Sequence, residues 1–355
     1  MKLYNSTLII VANLVVLNLT AQTFIEPCKY GQPLISALQQ NHAPTQTLGY
    51  GPARDILYSQ IDNVGNDLFG IYTNFKVTLD PNADPSSDAF SKGINAEHVY
   101  PQSKGAGSEP MRSDMHNIYP SKVNVNSARG NCPFDDIVDT DTDMWFFEAT
   151  STGNIPNNDI DSYSEKDVDG STFEPRESKK GDIARAVFYF YAIYQNVANN
   201  ADANFFNIQK NKLLEWHYAD LPDATELARS TAIASQQGNE NPFAVDTSLA
   251  RRAFFMSDAS YPTNDENCYN IITPTEAIKT QNWITLQTNV IKDIIILESL
   301  EQEGTIVVFD LKGQVVRTAT LQFQTIINAQ DFQSGIYILR VLNRNKVATF
   351  RILVQ

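Results

Sequence analysis

The chain has 355 residues, 42% of them hydrophobic, and a formal net charge of −14 at pH 7. This length exceeds that of most single domains, so we expect two folding units. The apolar content supports a substantial core and excludes a chain that is disordered throughout. The acidic balance excludes nonspecific adhesion to nucleic acid through a generally basic surface.

The first 21 residues have the pattern of a signal peptide. Lys2 precedes an apolar run from about Leu8 to Leu19, and the small residue Ala21 stands at the expected cleavage position. The run is shorter than the ~20 residues that a membrane-spanning helix needs, and no other stretch is long enough. We therefore predict an exported protein without a transmembrane segment.

Three cysteines follow this segment, namely Cys28, Cys132 and Cys268. Export permits a disulfide, and an odd count leaves one thiol over. Because domain termini often lie close together, a Cys28–Cys268 bridge across the central region is one hypothesis. The spacings do not suit a zinc site, which usually has closely spaced cysteine pairs.

The first half of the chain predicts mixed structure. Helical spacing indicates a helix in PLISALQQ (33–40), and alternation with aromatics indicates a strand in DLFGIYTNFKVTL (67–79). Pro, Asp and Ser indicate a loop in DPNADPSSD (80–88). The acidic stretches between 134 and 171 predict long surface loops, and DTDTD within them lacks the glycine and glutamate of an EF-hand.

The clearest helix is predicted in GDIARAVFYFYAIYQNVA (181–198), where apolar residues recur at steps of three and four and give one wide apolar face. Asp182 is expected to cap it. NFFNIQKNKLLEWHYAD (204–220) and ATELARSTAIASQQG (224–238) predict further helices, the second ending at Gly238. Trp216 and His217 are expected to be packing residues.

Residues 261–281 have the composition of a linker, and residues 282–355 form short alternating segments without helical spacing. DLKGQ (310–314) is a hairpin signal between two β-branched runs. This pattern predicts a small antiparallel β-sandwich. The segments VVFDLKGQVV, GIYILRV and FRILVQ resemble the C-terminal sorting domain of type IX secretion substrates. The resemblance implies passage to the cell surface or medium through that secretion machinery.

The central region contains a dense group of polar side chains. Glu97 and His98 stand just before Pro101, and His116, Asn117, Asn126, Arg129 and Asn131 follow. Between Ser91 and Asn131 five basic residues outnumber three acidic ones. Phosphodiester hydrolysis needs a base, positive charge and hard oxygen ligands for a cation, and these residue types supply all three.

The segments NAEHVYPQS, SDMHNIYPS and VNSARGNCPF together resemble the endonuclease I family of secreted nonspecific nucleases, as do GDIARAVFYF, LLEWH and QGNENPF further on. The resemblance implies an α+β fold for residues 22–260, a ββα-metal (His-Me finger) nuclease domain with several helices. It also implies a monomeric hydrolase that cuts DNA, with RNA left open, and that releases 5′-phosphates.

Carried over by motif, the resemblance implies His98 as general base and Glu97 and Asn126 as ligands of one Mg²⁺, with Mn²⁺ and Ca²⁺ as alternatives. It implies catalytic phosphate contact by Arg129. The family also uses a basic residue between the two strands, and Lys104 and Arg112 are both open for that substrate contact. Arg185, one turn into its predicted helix, either binds substrate phosphate or is structural. Support of the site is expected from His116, Asn117 and Asn131. Capping a helix or closing a turn is the alternative role for Asn126 and the favoured one for Asn131.

One physical condition accompanies this assignment. Adjacent side chains of a regular strand point to opposite faces, so Glu97 and His98 serve one metal site only if the strand pairing breaks there. Pro101 makes a strand end plausible. Two other functions stay open, a catalytically degenerate module that binds nucleic acid or a surface partner, and a metal-dependent phosphoesterase acting on small substrates.

Overall fold

The computed structural model describes residues 25–27, 29–256 and 280–354, the last range with gaps at 282, 287–289, 292–293, 301–303, 311–313 and 344–345. The predicted signal peptide, nearly all of the predicted linker and the Cys28–Cys268 hypothesis lie outside these residues. Thr280 and Gln281 already form a strand, which begins within the predicted linker. Within the described ranges, no helix combines the length and apolar character needed to cross a bilayer.

Between residues 29 and 256 the structure has ten α-helices. They are α1 (Gly31–Asn41), α2 (Tyr50–Ile56), α3 (Pro85–Ser91), α4 (Val123–Arg129), α5 (Lys180–Ile193), α6 (Gln195–Asp202), α7 (Phe205–Ala219), α8 (Ala224–Gln237), α9 (Pro242–Val245) and α10 (Leu249–Phe254). A π-helical turn continues α2. The predicted helices α1, α7 and α8 are confirmed, and Gly238 ends α8 with a left-handed φ of 86°.

Three small antiparallel sheets accompany these helices. The first has β1 (Asn63–Val64), β2 (Asp67–Phe69) and β3 (Lys76–Thr78); the second has β4 (Ile94–His98) and β5 (Ile118–Lys122); the third has β6 (Thr142–Phe147), β7 (Thr150–Thr152), β8 (Ser164–Asp167) and β9 (Phe173–Glu174) in the order β7-β6-β8-β9.

Two predictions in the first half are wrong in part. The strand expected over 67–79 is the hairpin β2–β3, because the chain turns where Asn74 takes a φ of 57° and its amide donates to the Gly70 carbonyl. The loop expected over 80–88 contains the start of α3. The Asp84 carboxylate accepts a hydrogen bond from the Ser87 amide, and Pro85 occupies the first helical position.

The acidic segment is also more ordered than predicted. Its residues 142–147 form the strand β6, in which Trp145 is fully buried and pairs across to Glu165 of β8. Acidic residues such as Asp143 project from the exposed positions of this strand. The acidic composition of this segment therefore did not reveal that it contains part of a half-buried sheet.

Helix α5 lies at the centre of the domain, and every residue from Lys180 to Ile193 is buried. The predicted single apolar face is therefore wrong, since α1, α7, α9 and α10 pack around the helix. Asp182 does not cap it, because the helix begins at Lys180 and the Asp182 carboxylate pairs with Lys179. Trp216 and His217 of α7 are packed as predicted.

Strands β4 and β5 and helix α4 form a compact unit. The antiparallel pair runs from Ile94↔Lys122 to His98↔Ile118. Helix α4 begins directly after β5 and contacts both strands. This strand–strand–helix unit brings Glu97, His98, Asn126 and Arg129 together from two distant stretches of sequence.

The C-terminal region is all-β, as predicted. It contains β10 (Thr280–Gln281), β11 (Ile284–Leu286), β12 (Val290–Ile291), β13 (Ile294–Ser299), β14 (Gly304–Phe309), β15 (Val315–Leu321), β16 (Gln324–Asn328), β17 (Gly335–Asn343) and β18 (Lys346–Val354). The sheets β10-β11-β13-β16 and β12-β18-β17-β14-β15 share one apolar core. The pairing of β12 with β18 is parallel, so the sandwich is not wholly antiparallel.

Candidate active site

His98 ends strand β4 and has a defined tautomer. Its Nε2 lies 2.9 Å from the backbone oxygen of Arg112, and its Nδ1 lies 3.1 Å from the amide nitrogen of Gln102. A carbonyl only accepts and an amide nitrogen only donates, so Nε2 carries the proton and Nδ1 has a lone pair. The side chain can therefore accept a proton at Nδ1.

The surroundings of His98 keep its imidazole neutral. Burial lowers the pKa of His98, the hydrogen bond to the Arg112 carbonyl opposes that shift, and the charges of Arg112, Arg129 and Arg54 add to it. A neutral imidazole at ordinary pH is the form that acts as a base.

Glu97 is 2% exposed and has its own partners. Its Oε1 accepts the Tyr72 hydroxyl at 2.6 Å and lies 3.0 Å from Nη1 of Arg129. Burial raises the pKa of Glu97, while the adjacent Arg129 guanidinium opposes that rise. Both described contacts use Oε1, and the second carboxylate oxygen has no described hydrogen bond.

The expected break in strand pairing between Glu97 and His98 is wrong. Glu97 pairs with Tyr119 and His98 with Ile118 in one regular register, and the strand ends only after His98. The two side chains consequently leave opposite faces of β4, and the side-chain partners of Glu97 differ from those of His98. The condition under which Glu97 and His98 would directly serve one metal site is therefore not met. The structure places the pair at a strand end without contact between carboxylate and imidazole.

Asn126 lies on the side of β4 that carries Glu97. Its amide nitrogen donates to Asn95 Oδ1 at 2.9 Å and to the Ala96 carbonyl at 3.1 Å. Asn95 and Glu97 are two residues apart on one strand, so they project from the same face. Both hydrogen bonds of Asn126 use its nitrogen, and its Oδ1 has no described partner.

This donor set fits a hard divalent cation. One carboxylate oxygen of Glu97 and the amide oxygen of Asn126 are free of described hydrogen bonds, and oxygen is the ligand that Mg²⁺ prefers. Nowhere in the described part of the chain do three or more His, Cys, Asp or Glu side chains gather as a metal cluster. A cation here would thus have few protein ligands and several waters, as is usual for Mg²⁺.

Arg129 does not fit the predicted phosphate contact. It is fully buried, and its guanidinium donates to the backbone oxygens of His98 at 3.1 Å and Val99 at 2.6 Å. Its carbon Cζ lies 4.5 Å from the ring centre of Phe134. Arg129 therefore ties α4 to the end of β4 and holds Glu97 in place.

Arg185 does not fit the predicted substrate contact either. Its guanidinium is buried in α5 and forms a two-point contact with Glu226 at 2.6 and 2.5 Å, together with a bond to the Asp220 carbonyl. All three nitrogen atoms have partners. Arg185 joins α5 to α8, and its side chain is buried with all its nitrogen atoms hydrogen-bonded.

The two basic residues between β4 and β5 differ. Lys104 pairs with Asp202 at 2.7 Å, so its charge is already compensated. Arg112 is exposed, and its guanidinium lies 4.4 Å from the ring centre of Tyr50. Among the described residues, Arg112 has no acidic partner. Of these two predicted substrate contacts, Arg112 is the available cation.

The predicted supporting residues all hold the connection between β4 and β5. His116 Nε2 is 2.9 Å from the Asn239 carbonyl, and burial lowers the pKa of His116 to about 4. Asn117 bonds to both backbone groups of Tyr100, and Asn131 donates to Ser103.

The buried Asp114 anchors the same connection. Its carboxylate accepts the hydroxyls of Tyr189 at 2.7 Å and Tyr194 at 2.8 Å and the side-chain amide of Gln237 at 2.9 Å. These bonds fix the connection to α5 and α8.

Sequence reasoning missed four residues around the pair. Tyr72 binds Glu97, Gln102 binds His98, and the Tyr50 ring centre is 5.5 Å from that of His98. Arg54 lies one helical turn after Tyr50, with its guanidinium 4.4 Å from the Tyr50 ring centre. The i,i+4 spacing of Tyr50 and Arg54 on a helix was a usable signal that they share a face.

Comparison with known proteins agrees with this architecture. The family model for endonuclease I matches residues 26–248, and that for the secretion system C-terminal sorting domain matches residues 284–355. An extracellular ribonuclease of Bacillus subtilis (strain 168) is 30% identical over 191 residues, which are 50% of this chain and 58% of that protein. An extracellular ribonuclease of Bacillus amyloliquefaciens is 27% identical over 231 residues, 61% and 71% of the two chains.

The chain thus spans less than two thirds of the length of the Bacillus subtilis relative. The match to the sorting domain confirms the predicted type IX tail and export from the cell. The match over residues 26–248 includes the strand–strand–helix unit and all the helices from α1 to α9. The chain belongs to the endonuclease I family.

Proposed function

We propose that this protein is a secreted endonuclease that hydrolyses internal phosphodiester bonds of DNA and RNA with little sequence preference and leaves 5′-phosphates. The observation that carries the proposal is the tautomer of His98, which leaves a lone pair on Nδ1. The Tyr50 ring, centred 5.5 Å from the imidazole, has the Arg112 guanidinium 4.4 Å from its own centre. Family membership and the names of the two extracellular relatives support nucleic acid as the substrate.

In this proposal β4, β5 and α4 are the ββα-metal unit of a His-Me finger nuclease. The antiparallel pair followed directly by a helix that contacts both strands supports this assignment. Since Glu97 and His98 leave opposite faces, the scissile phosphate has to lie across the end of β4, where the strand pairing stops at His98.

His98 Nδ1 accepts the proton of the attacking water, and the Nε2–H bond to the Arg112 carbonyl steadies the imidazolium that forms. Gln102, now bound at Nδ1, yields that position to the water. The exposed Arg112 guanidinium binds non-bridging phosphate oxygens, whose negative charge grows in the transition state.

Glu97 and Asn126 would hold one divalent cation, Mg²⁺ or alternatively Mn²⁺ or Ca²⁺. When bound, such a cation supplies positive charge to the phosphate oxygens and to the departing 3′-oxygen. Tyr72 and Arg129 keep the Glu97 carboxylate oriented, and Asn95 fixes the Asn126 amide so that its oxygen stays available.

Digestion of plasmid DNA and of a long RNA, with Mg²⁺ and with EDTA, tests the proposal. His98→Ala should abolish cleavage, a loss of at least 10²-fold, with the fold unchanged by circular dichroism. His42→Ala is the matched control, because His42 pairs with Glu26 away from β4 and should keep full activity. EDTA should abolish cleavage of both nucleic acids by the parent protein.

Three outcomes would contradict parts of this proposal. Normal activity of His98→Ala would contradict the role of His98 as general base. Full activity of the parent protein in EDTA would contradict the need for a divalent cation. Binding of nucleic acid without cleavage by the parent protein favours the catalytically degenerate module, and hydrolysis of small diesters alone favours the small-substrate phosphoesterase.

A further inference from the structure

The ring of Tyr50 carries two guanidinium groups. The Cζ atoms of Arg54 and Arg112 each lie 4.4 Å from the Tyr50 ring centre, and that ring lies 5.5 Å from the imidazole of His98. Arg54 comes from the start of the domain, on α2, whereas Arg112 comes from the connection between β4 and β5. Two separate segments therefore deliver positive charge to one aromatic ring next to the proposed base.

Neither arginine forms a salt bridge with a carboxylate in the described part of the chain, although Arg54 is near enough to Asp84 for their charges to interact. Arg54 donates only through Nε to the Tyr50 carbonyl at 3.3 Å, and Arg112 has only the ring contact, in the part of the chain that the structure describes. Arg112 is exposed and Arg54 is half-buried. In a chain with a net charge of −14, two adjacent unpaired arginines indicate a place for an anion.

Three other arginines of the same domain behave differently. Arg129, Arg185 and Arg229 each meet a carboxylate, at 3.0, 2.5 and 2.7 Å. These residues have structural partners that account for their charge. Arg112 has the aromatic ring, and Arg54 has the ring and one Nε bond to the Tyr50 carbonyl, so the terminal N–H groups of both guanidinium groups stay available for phosphate oxygens.

We propose that Arg54, Tyr50 and Arg112 form a clamp for two neighbouring phosphates of a polynucleotide strand, with Arg112 on the scissile phosphate and Arg54 on the adjacent one. The proposal rests on the proposed function and extends it to substrate length. The two guanidinium carbons are at most twice 4.4 Å apart. Successive phosphates of one strand advance by about 3.4 Å along a duplex axis. Because they also wind around that axis, they lie further apart than this rise, at a spacing still within the limit set by the two guanidinium carbons.

The clamp predicts a preference for polynucleotides over small diesters. A substrate with a single phosphate engages Arg112 alone and gains nothing from Arg54. Tyr50 acts as a positioning residue, because its ring sets where both cations stand and packs beside His98.

Binding rather than cleavage provides the test, in a His98→Ala background that leaves the substrate intact. Fluorescence anisotropy measures binding of a labelled 12-nucleotide DNA strand over a range of salt concentrations, and competition measures binding of a dinucleotide with one phosphate. Arg54→Ala should weaken the 12-mer about tenfold and lower the slope of log K against log salt by about 0.7. The dinucleotide should bind as before.

Three further variants complete the design. Arg112→Ala should weaken binding of both the 12-mer and the dinucleotide, because each contains the phosphate that Arg112 is proposed to bind. Arg54→Lys should recover most of the salt slope, since it keeps the charge. Arg251→Ala is the matched control, an exposed arginine on α10 that should change neither ligand.

The clamp is overturned if the 12-mer does not bind the parent protein, if Arg54→Ala binds it normally, or if Arg54→Ala loses both ligands equally. Its failure is distinct from failure of the proposed function, which concerns cleavage. If the protein binds the 12-mer through Arg54 but cuts no nucleic acid, the clamp is supported and the proposed nuclease function is contradicted.

Discussion

Replacing Arg129 by Met tests whether this arginine supports the fold or contacts substrate. The guanidinium is fully buried, 3.0 Å from the Glu97 carboxylate, and it donates to two backbone oxygens at the end of β4. Methionine fills similar volume but leaves a buried carboxylate without its cation. Removing one partner of a buried ion pair costs about 3–5 kcal/mol, so Arg129→Met should lose about that much free energy of unfolding.

The assay is urea denaturation followed by tryptophan fluorescence, with activity measured on the same samples. Arg112→Met is the matched control, because Arg112 is exposed and has only a ring contact. It should change the free energy of unfolding by no more than about 0.5 kcal/mol while reducing cleavage. Arg129→Met should therefore lower stability, whereas Arg112→Met should lower cleavage with little change in stability.

A double variant sharpens the comparison. Glu97→Gln removes the buried charge, so adding Arg129→Met to it should cost at least about 1 kcal/mol less than Arg129→Met alone. The reasoning is refuted if Arg129→Met loses less than about 1 kcal/mol yet abolishes cleavage. That result would mean that the guanidinium faces the phosphate rather than Glu97.

Two further predictions concern stability. Burial raises the pKa of Glu165 to about 7, above its ordinary 4.5, so its contribution is complete below pH 4.5 and is lost as pH rises through 7. Glu165→Gln should therefore be more stable than the parent by up to about 3 kcal/mol at pH 8, and by little at pH 5, in urea titrations; equal gains at both would contradict this. Gly181→Ala should lower the unfolding free energy by about 1–3 kcal/mol, because the added Cβ would meet the Asp220 carbonyl at 2.0 Å. Gly51→Ala, with nothing within 4 Å, is its control in thermal melts, and equal effects would refute the packing argument.

Sequence motifs predicted those helices whose ends are determined by residues close to them in sequence. Helix α8 has an Asp223 cap and a Gly238 stop, and both act within one turn. The start of α3 was missed although Asp84 and Pro85 form a good N-terminal signal, because the polar composition around them also suits a loop. The all-round burial of α5 depends on the helices that pack around it and could not be predicted from its own periodicity.

The candidate site also contains residues that the sequence predicted and residues whose surroundings only the fold reveals. Glu97, His98 and Asn126 were identified because motifs name them, and the structure places all three around β4. The burial of Arg129 and Arg185 was not predictable, because a charged residue type does not reveal whether a partner such as Glu226 lies nearby in space. Tyr50 was missed for the same reason, since it meets His98 only through the tertiary fold. The spacing of Tyr50 and Arg54 indicates a shared helix face but does not reveal what that face contacts.

The anchoring of Asp114 affects how this enzyme family can be re-engineered. The segment between β4 and β5 carries Gln102 and Arg112, which makes it an obvious target for randomised libraries. In this chain it is fastened to α5 and α8 through Tyr189 and Gln237, so it is not an independent cassette. Useful diversity should be confined to outward side chains of that segment, and exchanges of the whole segment should include its two helical docking partners.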